Sequence, residues 1–271
     1  MIFENEVYGF STKDDQILSE VELKKLACDR NLVSNYKQIQ LEINAQKNWD
    51  LFYKRNSTKF FKDRHWTTRE FDEITSEKLN DKKLLEVGCG CGNAIFPLIE
   101  ENKNIFVYAC DFSSRAIEYV KAHKLYELSR CLAFQSDVTK DNLCSFVPEA
   151  SIDIALMIFV LSAVHPDKMK EVLQNVHRVL KPGGIVLFRD YGLYDHAMLR
   201  FGPGHKLDDR FYVRQDGTRA YYFSTDKLFE LFTSCGYEVV ENTYIHRRTI
   251  NKKEGIDVPR IFVQGKFTKL S

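Results

Sequence analysis

Lys83-Leu84-Leu85-Glu86-Val87-Gly88-Cys89-Gly90-Cys91-Gly92-Asn93 is the stretch whose reading decides the fold. Apolar residues at 84, 85 and 87 suit a buried strand, and three alternate glycines then let the backbone turn tightly against a ligand. A helical run over residues 94–101 follows at once. Strand, glycine turn and helix N-terminus together make the geometry that holds a nucleotide-like cofactor. The G-x-G-x-x-G of dinucleotide enzymes fails here, because Asn93 stands where its last glycine belongs. Glu86, two residues before the first glycine, would repel a pyrophosphate but suits a cationic amino-acid end. Taken alone, the turn reads equally well as tight packing.

The residues beyond it shift that balance. Residues 105–110 read as a second strand ending in Asp111, which lies 19 residues past Gly92. That is close to the offset of about 20 at which a carboxylate meets a ribose hydroxyl pair. Ser113 or Ser114 then caps a helix to about residue 122. A third strand over 131–134 is followed by Asp137, suited to an adenine amino group or merely to a turn. Residues 151–160 form a nearly continuous apolar fourth strand, as the centre of a parallel sheet requires. Pro166 opens a helix that Lys181-Pro182-Gly183-Gly184 stops, and a fifth strand over 185–188 runs into Arg189-Asp190-Tyr191. A polar insert spans 193–223, a helix 224–235, and two last strands 237–240 and 260–267 flank a basic turn from His246 to Lys253.

Glu86, Asp111 and Asp137 thus sit at three successive strand ends, which on a parallel sheet share one edge. With the glycine turn the set is specific for S-adenosylmethionine (SAM) chemistry, and Glu-x-Gly-x-Gly-x-Gly resembles the first motif of SAM-dependent methyltransferases. The expected fold is α/β, a Rossmann-like class I methyltransferase with a seven-stranded, mostly parallel sheet. Residues 81–271 would carry it, and residues 1–80 an added arm and helical, RNA-binding lid region. In that region Ser19 and Glu22 start one helix, and a second is expected over 35–53.

Composition narrows the class. The net charge is +1, so a nucleic-acid site must be a local patch. Seven cysteines without C-x-x-C spacing fit a reducing compartment, and no metal set is visible. No apolar run approaches the roughly 18 residues of a membrane span. An acidic N-terminus (Glu4, Glu6, Asp14, Asp15, Glu20, Glu22 against Lys13) opposes a transit or signal peptide. A cytoplasmic protein, with the nucleus as a second compartment, is the expectation.

The patch is visible. Between residues 47 and 71 seven Lys/Arg meet three acids and seven aromatics, including both tryptophans. Such interleaving suits single-stranded nucleic acid, or a lid whose rings pack on the core. The segments 48–53 (Asn-Trp-Asp-Leu-Phe-Tyr), 61–66 (Phe-Lys-Asp-Arg-His-Trp), 158–166 (Ile-Phe-Val-Leu-Ser-Ala-Val-His-Pro) and 187–192 (Leu-Phe-Arg-Asp-Tyr-Gly) resemble the eukaryotic tRNA 3-methylcytidine methyltransferases. The resemblance runs from about residue 20 to the C-terminus, and the chain looks like the cytosolic branch acting on cytidine 32 of serine tRNA with seryl-tRNA synthetase. It implies that Trp49 and Tyr53 close over SAM beside Gly88, Asp111, Asp137, Val138 and Ile158; Gly90 of the glycine turn and Glu86 are cofactor candidates beside them. It also implies that 47–71 and the late insert form an RNA-binding lobe; Arg64, His65 and Trp66 there, and Arg247 and Arg248 in the basic turn, are the candidate RNA contacts.

Ring nitrogen 3 of cytosine carries an in-plane lone pair, so no base need deprotonate it, and the task is alignment. Asp190 is the candidate for stabilising the cation that forms, Arg189 for holding the base carbonyl or a phosphate, and Tyr191 for stacking. An internal Arg189–Asp190 pair is the alternative. A small-molecule methyltransferase and a non-catalytic RNA-binding module on the same fold remain the other functional readings.

Overall fold

The computed structural model describes residues 9–29, 31–58, 60–251 and 255–270. Residues 1–8 of the arm, Lys59, and Lys252 and Lys253 of the basic turn lie outside the described residues.

The arm places a two-residue strand, β1 (Ser11–Thr12), before helix α1 (Glu20–Cys28). Ser19 and Glu22 start that helix with reciprocal bonds of 2.8 and 3.3 Å, the expected capping box. Two helices, α2 (Asn35–Ile43) and α3 (Ala45–Asn56), replace the single one expected over 35–53. The break falls at Asn44, whose backbone leaves the helical region at φ −94°, ψ 8°. A short α4 (Thr67–Glu70) leads to the βα core: β2 (Lys83–Val87), α5 (Ile95–Glu101), β3 (Phe106–Asp111), α6 (Ser114–Lys121) and β4 (Cys131–Gln135). Then come β5 (Ile152–Ile158), α7 (Met169–Val179), β6 (Leu180–Tyr191) and α8 (His196–Leu199). The insert adds β7 (Lys206–Asp208), β8 (Phe211–Val213) and β9 (Arg219–Tyr221), and the chain closes with α9 (Thr225–Thr233), β10 (Tyr237–Asn251) and β11 (Ile256–Lys269).

The main sheet runs β1-β10-β11-β6-β5-β2-β3-β4. The five strands from β6 to β4 are parallel, whereas β11, β10 and β1 pair antiparallel beyond them. Seven strands are therefore as expected, with β1 added at the edge. Leu84, Leu85 and Val87 of β2, and Leu156, Met157 and Ile158 of β5, are at most 1% exposed, which explains why neither strand shows alternation. Each such side chain contributes about 1.5–3 kcal/mol of burial.

Two boundaries moved. Strand β6 begins at Leu180, because the Lys-Pro-Gly-Gly segment is absorbed as an irregularity between the Ile152–Leu180 and Ile154–Ile185 pairs. The part of the expected basic turn that is described is strand: residues 246–251 continue β10, paired residue by residue with β11. Backbone pairing sets that structure, so a polar run without alternation hid it.

Since β2 is flanked by β3 on one side and β5 on the other, the chain order reverses there. A crevice opens at the C-terminal ends of these strands, as the topology dictates. The insert closes it from above by bonding to the N-terminal helices: Gln38 donates to the Leu207 carbonyl and Asn48 to that of Gly217, both at 3.0 Å.

Candidate active site

The glycine turn is held open by geometry. Gly88 and Gly90 lie at φ +66° and +54°, and a Cβ on Gly90 would fall 2.8 Å from the Tyr53 hydroxyl. The Gly90 and Ser113 amides donate to the two oxygens of Asp111, each at 2.9 Å. Asp111 therefore ties the turn to the cap of α6, and burial pushes its carboxyl up to about 6. Glu86 lies beneath the turn, 1% exposed, with Oε2 lacking any partner. Burial pushes it up to about 8 against the pull of Arg64, so it is largely neutral at pH 7. Asn93 explains its own departure from the glycine pattern. Its side chain donates to the Phe61 carbonyl and to Asp63, and its carbonyl takes the Arg64 amide at 2.7 Å, stitching residues 61–64 onto the turn.

Two adjoining cavities fill the crevice. The larger, 160 Å³, is bordered by Trp49, Tyr53, Gly88, Asp111, Asp137 and Val138, which the sequence reading assigned to the cofactor. Burial would raise the Asp137 carboxyl, but hydrogen bonds from Thr139 and Lys140 hold it below its ordinary value. The smaller cavity, 70 Å³, is bordered by Gly90, Ile158 and Tyr191 together with Phe262, Arg64 and Arg214. Trp49, Tyr53, Gly88, Phe159, Ala163 and Arg219 border both, so the two form one continuous site. Helices α2 and α3 are latched over it. Glu42 pairs with Lys168 and Arg219, Gln46 donates to the Phe112 carbonyl at 2.6 Å, and Asp50 accepts from the Ser113 hydroxyl.

These features fit S-adenosylmethionine. An unpartnered buried carboxylate sits under a turn that excludes any Cβ, and an acid waits at the end of the second strand. A family model described as "Methyltransferase domain" matches residues 85–186. The human tRNA N(3)-cytidine methyltransferase METTL6 is 63% identical over 94% of this chain and 90% of its own length.

The chain belongs to the tRNA N(3)-cytidine methyltransferase family.

The METTL2 member from Xenopus tropicalis is 40% identical over 86% of this chain and 80% of its own length. Among solved structures, a Burkholderia thailandensis 1,6-didemethyltoxoflavin-N1-methyltransferase with bound S-adenosylhomocysteine superposes at a TM-score of 0.60. It is 15% identical and covers 100% of this chain and 98% of its own, a likeness of fold. This tRNA N(3)-cytidine methyltransferase is thus a SAM-dependent enzyme. Trp49, Tyr53, Gly88, Asp111, Asp137 and Val138 border the larger cavity, Gly90 and Ile158 the smaller one, and Glu86 lies buried in β2 two residues before Gly88 without bordering either.

The structure redistributes the other site residues. Arg189 and Asp190 neither pair with each other nor line the crevice. Adjacent on β6, they point to opposite faces. Arg189 is 1% exposed, bound to Gln264 and Glu70 and stacked under Trp66 with its guanidinium 4.7 Å from the ring. It supports the fold and borders neither cavity. Asp190, wholly buried, accepts from the Ser162 and Tyr191 amides at 2.9 Å, so it fixes the loop after β5. Burial raises it to about 6 despite those bonds. Tyr191 alone of the three borders the acceptor cavity.

Among the expected RNA contacts, Trp66 is buried and offers no face to a base. Arg247 is tied to Glu70 at 2.7 Å, Arg248 to Asp257 at 2.9 Å, and His65 stands 3.7 Å from Glu101. Arg64 donates to the Ile158 carbonyl and borders the acceptor cavity itself. Sequence reasoning gave no site role to Glu42, Phe159, Lys168, Arg214 or Arg219, which border the two cavities. Phe159 lay inside an apolar run read as strand, yet its backbone turns left-handed at φ +57° and ends β5. Cys89 and Cys91 are free thiols packed in the turn, and burial pushes Cys91 up to about 12. Among the described residues no His/Cys/Asp/Glu group is arranged for a metal, and no helix is long and apolar enough to cross a membrane.

Proposed function

We propose that this enzyme methylates nitrogen 3 of cytidine 32 in the anticodon loop of serine tRNA, in the cytoplasm and the nucleus, with seryl-tRNA synthetase presenting the substrate. One observation carries the reading: a cofactor cavity opens, across Phe159 and Ala163, into a smaller one walled by Phe61, Phe159, Tyr191 and Phe262. Flat rings around a small cavity suit a single base turned out of its loop.

S-adenosylmethionine supplies a methyl group on a positively charged sulfur. The chain's part is alignment. Tyr53 and Gly88, which border both cavities, set the distance between them. Phe159 and Tyr191, with ring centroids 5.1 Å apart, offer the base a stacking wall. Asp190 acts as a positioning residue: by fixing the Ser162 amide it holds the loop that carries Phe159 and Ala163. No side chain is needed as a base, because nitrogen 3 reacts through its lone pair.

Selection of one tRNA falls to the partner in this reading. A chain with net charge +1, whose expected RNA contacts are largely paired internally, offers little with which to choose among tRNAs. The test is mass-spectrometric mapping of 3-methylcytidine in tRNAs from cells lacking the protein, beside methylation of serine tRNA in vitro with and without synthetase. Loss at position 32 of serine tRNAs, and a large synthetase-dependent rate increase without ATP or serine, are expected. An unchanged modification map would overturn the assignment. Equal rates with and without synthetase would overturn the partner alone.

A further inference from the structure

The two halves of the crevice differ in how their charge is balanced. In the cofactor half Lys168 and Arg219 meet Glu42, Lys140 meets Asp137, and Asp111 has no cationic partner. Among the described residues the acceptor half is bordered by Lys62, Arg64, Arg214, Arg219 and Arg260 and by no carboxylate. Glu42 answers Arg219 from behind, and Asp195 answers Arg260 at 2.9 Å. Arg64 and Arg214 make no ion pair among the described residues. Arg64 spends one bond on the Ile158 carbonyl, and the Arg214 guanidinium donates to Thr218 Oγ1 and the Arg219 carbonyl. The acids nearest in effect are Glu86, which burial keeps largely neutral, and Asp190, which lies beneath Ser162 outside the cavity.

These two guanidiniums bracket the stacking wall. Arg64 lies 5.6 Å from the Phe159 ring centre, and Arg214 lies 5.4 Å from that of Tyr191. Whatever base stacks there lies in the field of both.

The reaction changes the charge of that base. Nitrogen 3 contributes its lone pair to the new N–C bond, while the electron pair of the broken S–C bond returns to sulfur. No proton moves in the step. A neutral ring therefore enters and a cationic ring results, so positive charge passes from the balanced half of the crevice to the unbalanced one. We infer that Arg64 and Arg214 discriminate against the methylated product, expelling it and preventing its rebinding. The inference rests on the cytidine reading above. Phosphate contacts cannot produce this discrimination, because substrate and product carry the same backbone.

The test compares the affinity of the wild-type enzyme, with S-adenosylhomocysteine present, for its unmethylated tRNA and for the same tRNA carrying 3-methylcytidine. The methylated form should bind about tenfold more weakly, the scale of a like charge in a half-buried site. In the Arg64→Gln/Arg214→Gln double variant the ratio should fall to within about twofold. The Arg64→Lys/Arg214→Lys variant keeps both charges and should keep the ratio. An unchanged circular-dichroism spectrum and melting temperature certify the fold of each variant. Equal binding of the two tRNAs by wild type overturns the inference whether or not any variant folds. So does a double Gln variant that weakens both tRNAs in parallel. If the wild type fails to methylate tRNA even with synthetase present, the cytidine reading itself falls; equal binding with methylation intact removes only this inference.

Discussion

Gly90→Ala is the sharpest perturbation of the cofactor turn, because the structure says what the added methyl meets. Its Cβ would lie 2.8 Å from Tyr53 Oη, while the next Tyr53 atoms, Cζ and Cε1, are at 3.7 and 3.9 Å. Only the hydroxyl is in the way. The left-handed backbone at φ +54° adds a second cost, about 1–2 kcal/mol for a residue with a side chain. That strain should lower the melting temperature by roughly 2–8 °C, at about 2–4 °C per kcal/mol for a protein of this size. Tyr53 must also yield, and it borders both cavities, so cofactor affinity should fall more than tenfold, a loss above about 1.4 kcal/mol. Tyr53→Phe removes the clashing atom. The Gly90→Ala/Tyr53→Phe variant should therefore recover most of the affinity while keeping the melting-temperature loss. Calorimetric titration with S-adenosylhomocysteine and thermal unfolding read both quantities. A folded Gly90→Ala variant with wild-type affinity would refute the reasoning, and a double variant no tighter than the single would refute the role given to the Tyr53 hydroxyl.

Asp111→Ala removes an acceptor that also holds the Gly90 and Ser113 amides. At roughly 1.5–3 kcal/mol for bonds to a charged group, cofactor affinity should drop tenfold or more, and calorimetry showing no change would remove Asp111 from the site. Glu86 has its carboxyl raised to about 8, so a cationic amine arriving above it should draw out a proton. Binding at pH 7 should then release a proton, seen as a dependence of binding heat on buffer ionisation. The release should fade above about pH 8 and vanish in Glu86→Gln; heats independent of buffer would exclude the coupling. Affinity for tRNA should fall steeply with salt while that for the cofactor changes little, since phosphate contacts release counterions. A flat salt dependence would mean that the exposed lysines and arginines are solvated surface.

The sheet and the cofactor wall were legible because local chemistry placed them. A glycine turn after a buried strand, and acids one per strand end, converge on one edge whenever the strands are parallel. Asn93 carried a signal that went unused: a residue breaking a glycine pattern invites the question of what its amide holds. The pairing of Arg189 with Asp190 was also excluded in advance by strand periodicity, which sends neighbours to opposite faces. Other features had no local trace. Trp66 and Arg189 are buried against each other across more than a hundred residues of sequence, so an exposed aromatic-basic segment and a partly buried one read alike. Phe159 turns left-handed inside an apolar run, and Glu42 meets Lys168 just before α7 and Arg219 of the insert across more than a hundred residues of sequence.

The central claim is tested most directly by methyl transfer itself. Purified protein, radiolabelled S-adenosylmethionine and unmodified serine tRNA with seryl-tRNA synthetase should yield label in one nucleoside, 3-methylcytidine, mapped to position 32. Label that appears in no tRNA nucleoside, or in one other than 3-methylcytidine, would contradict the account.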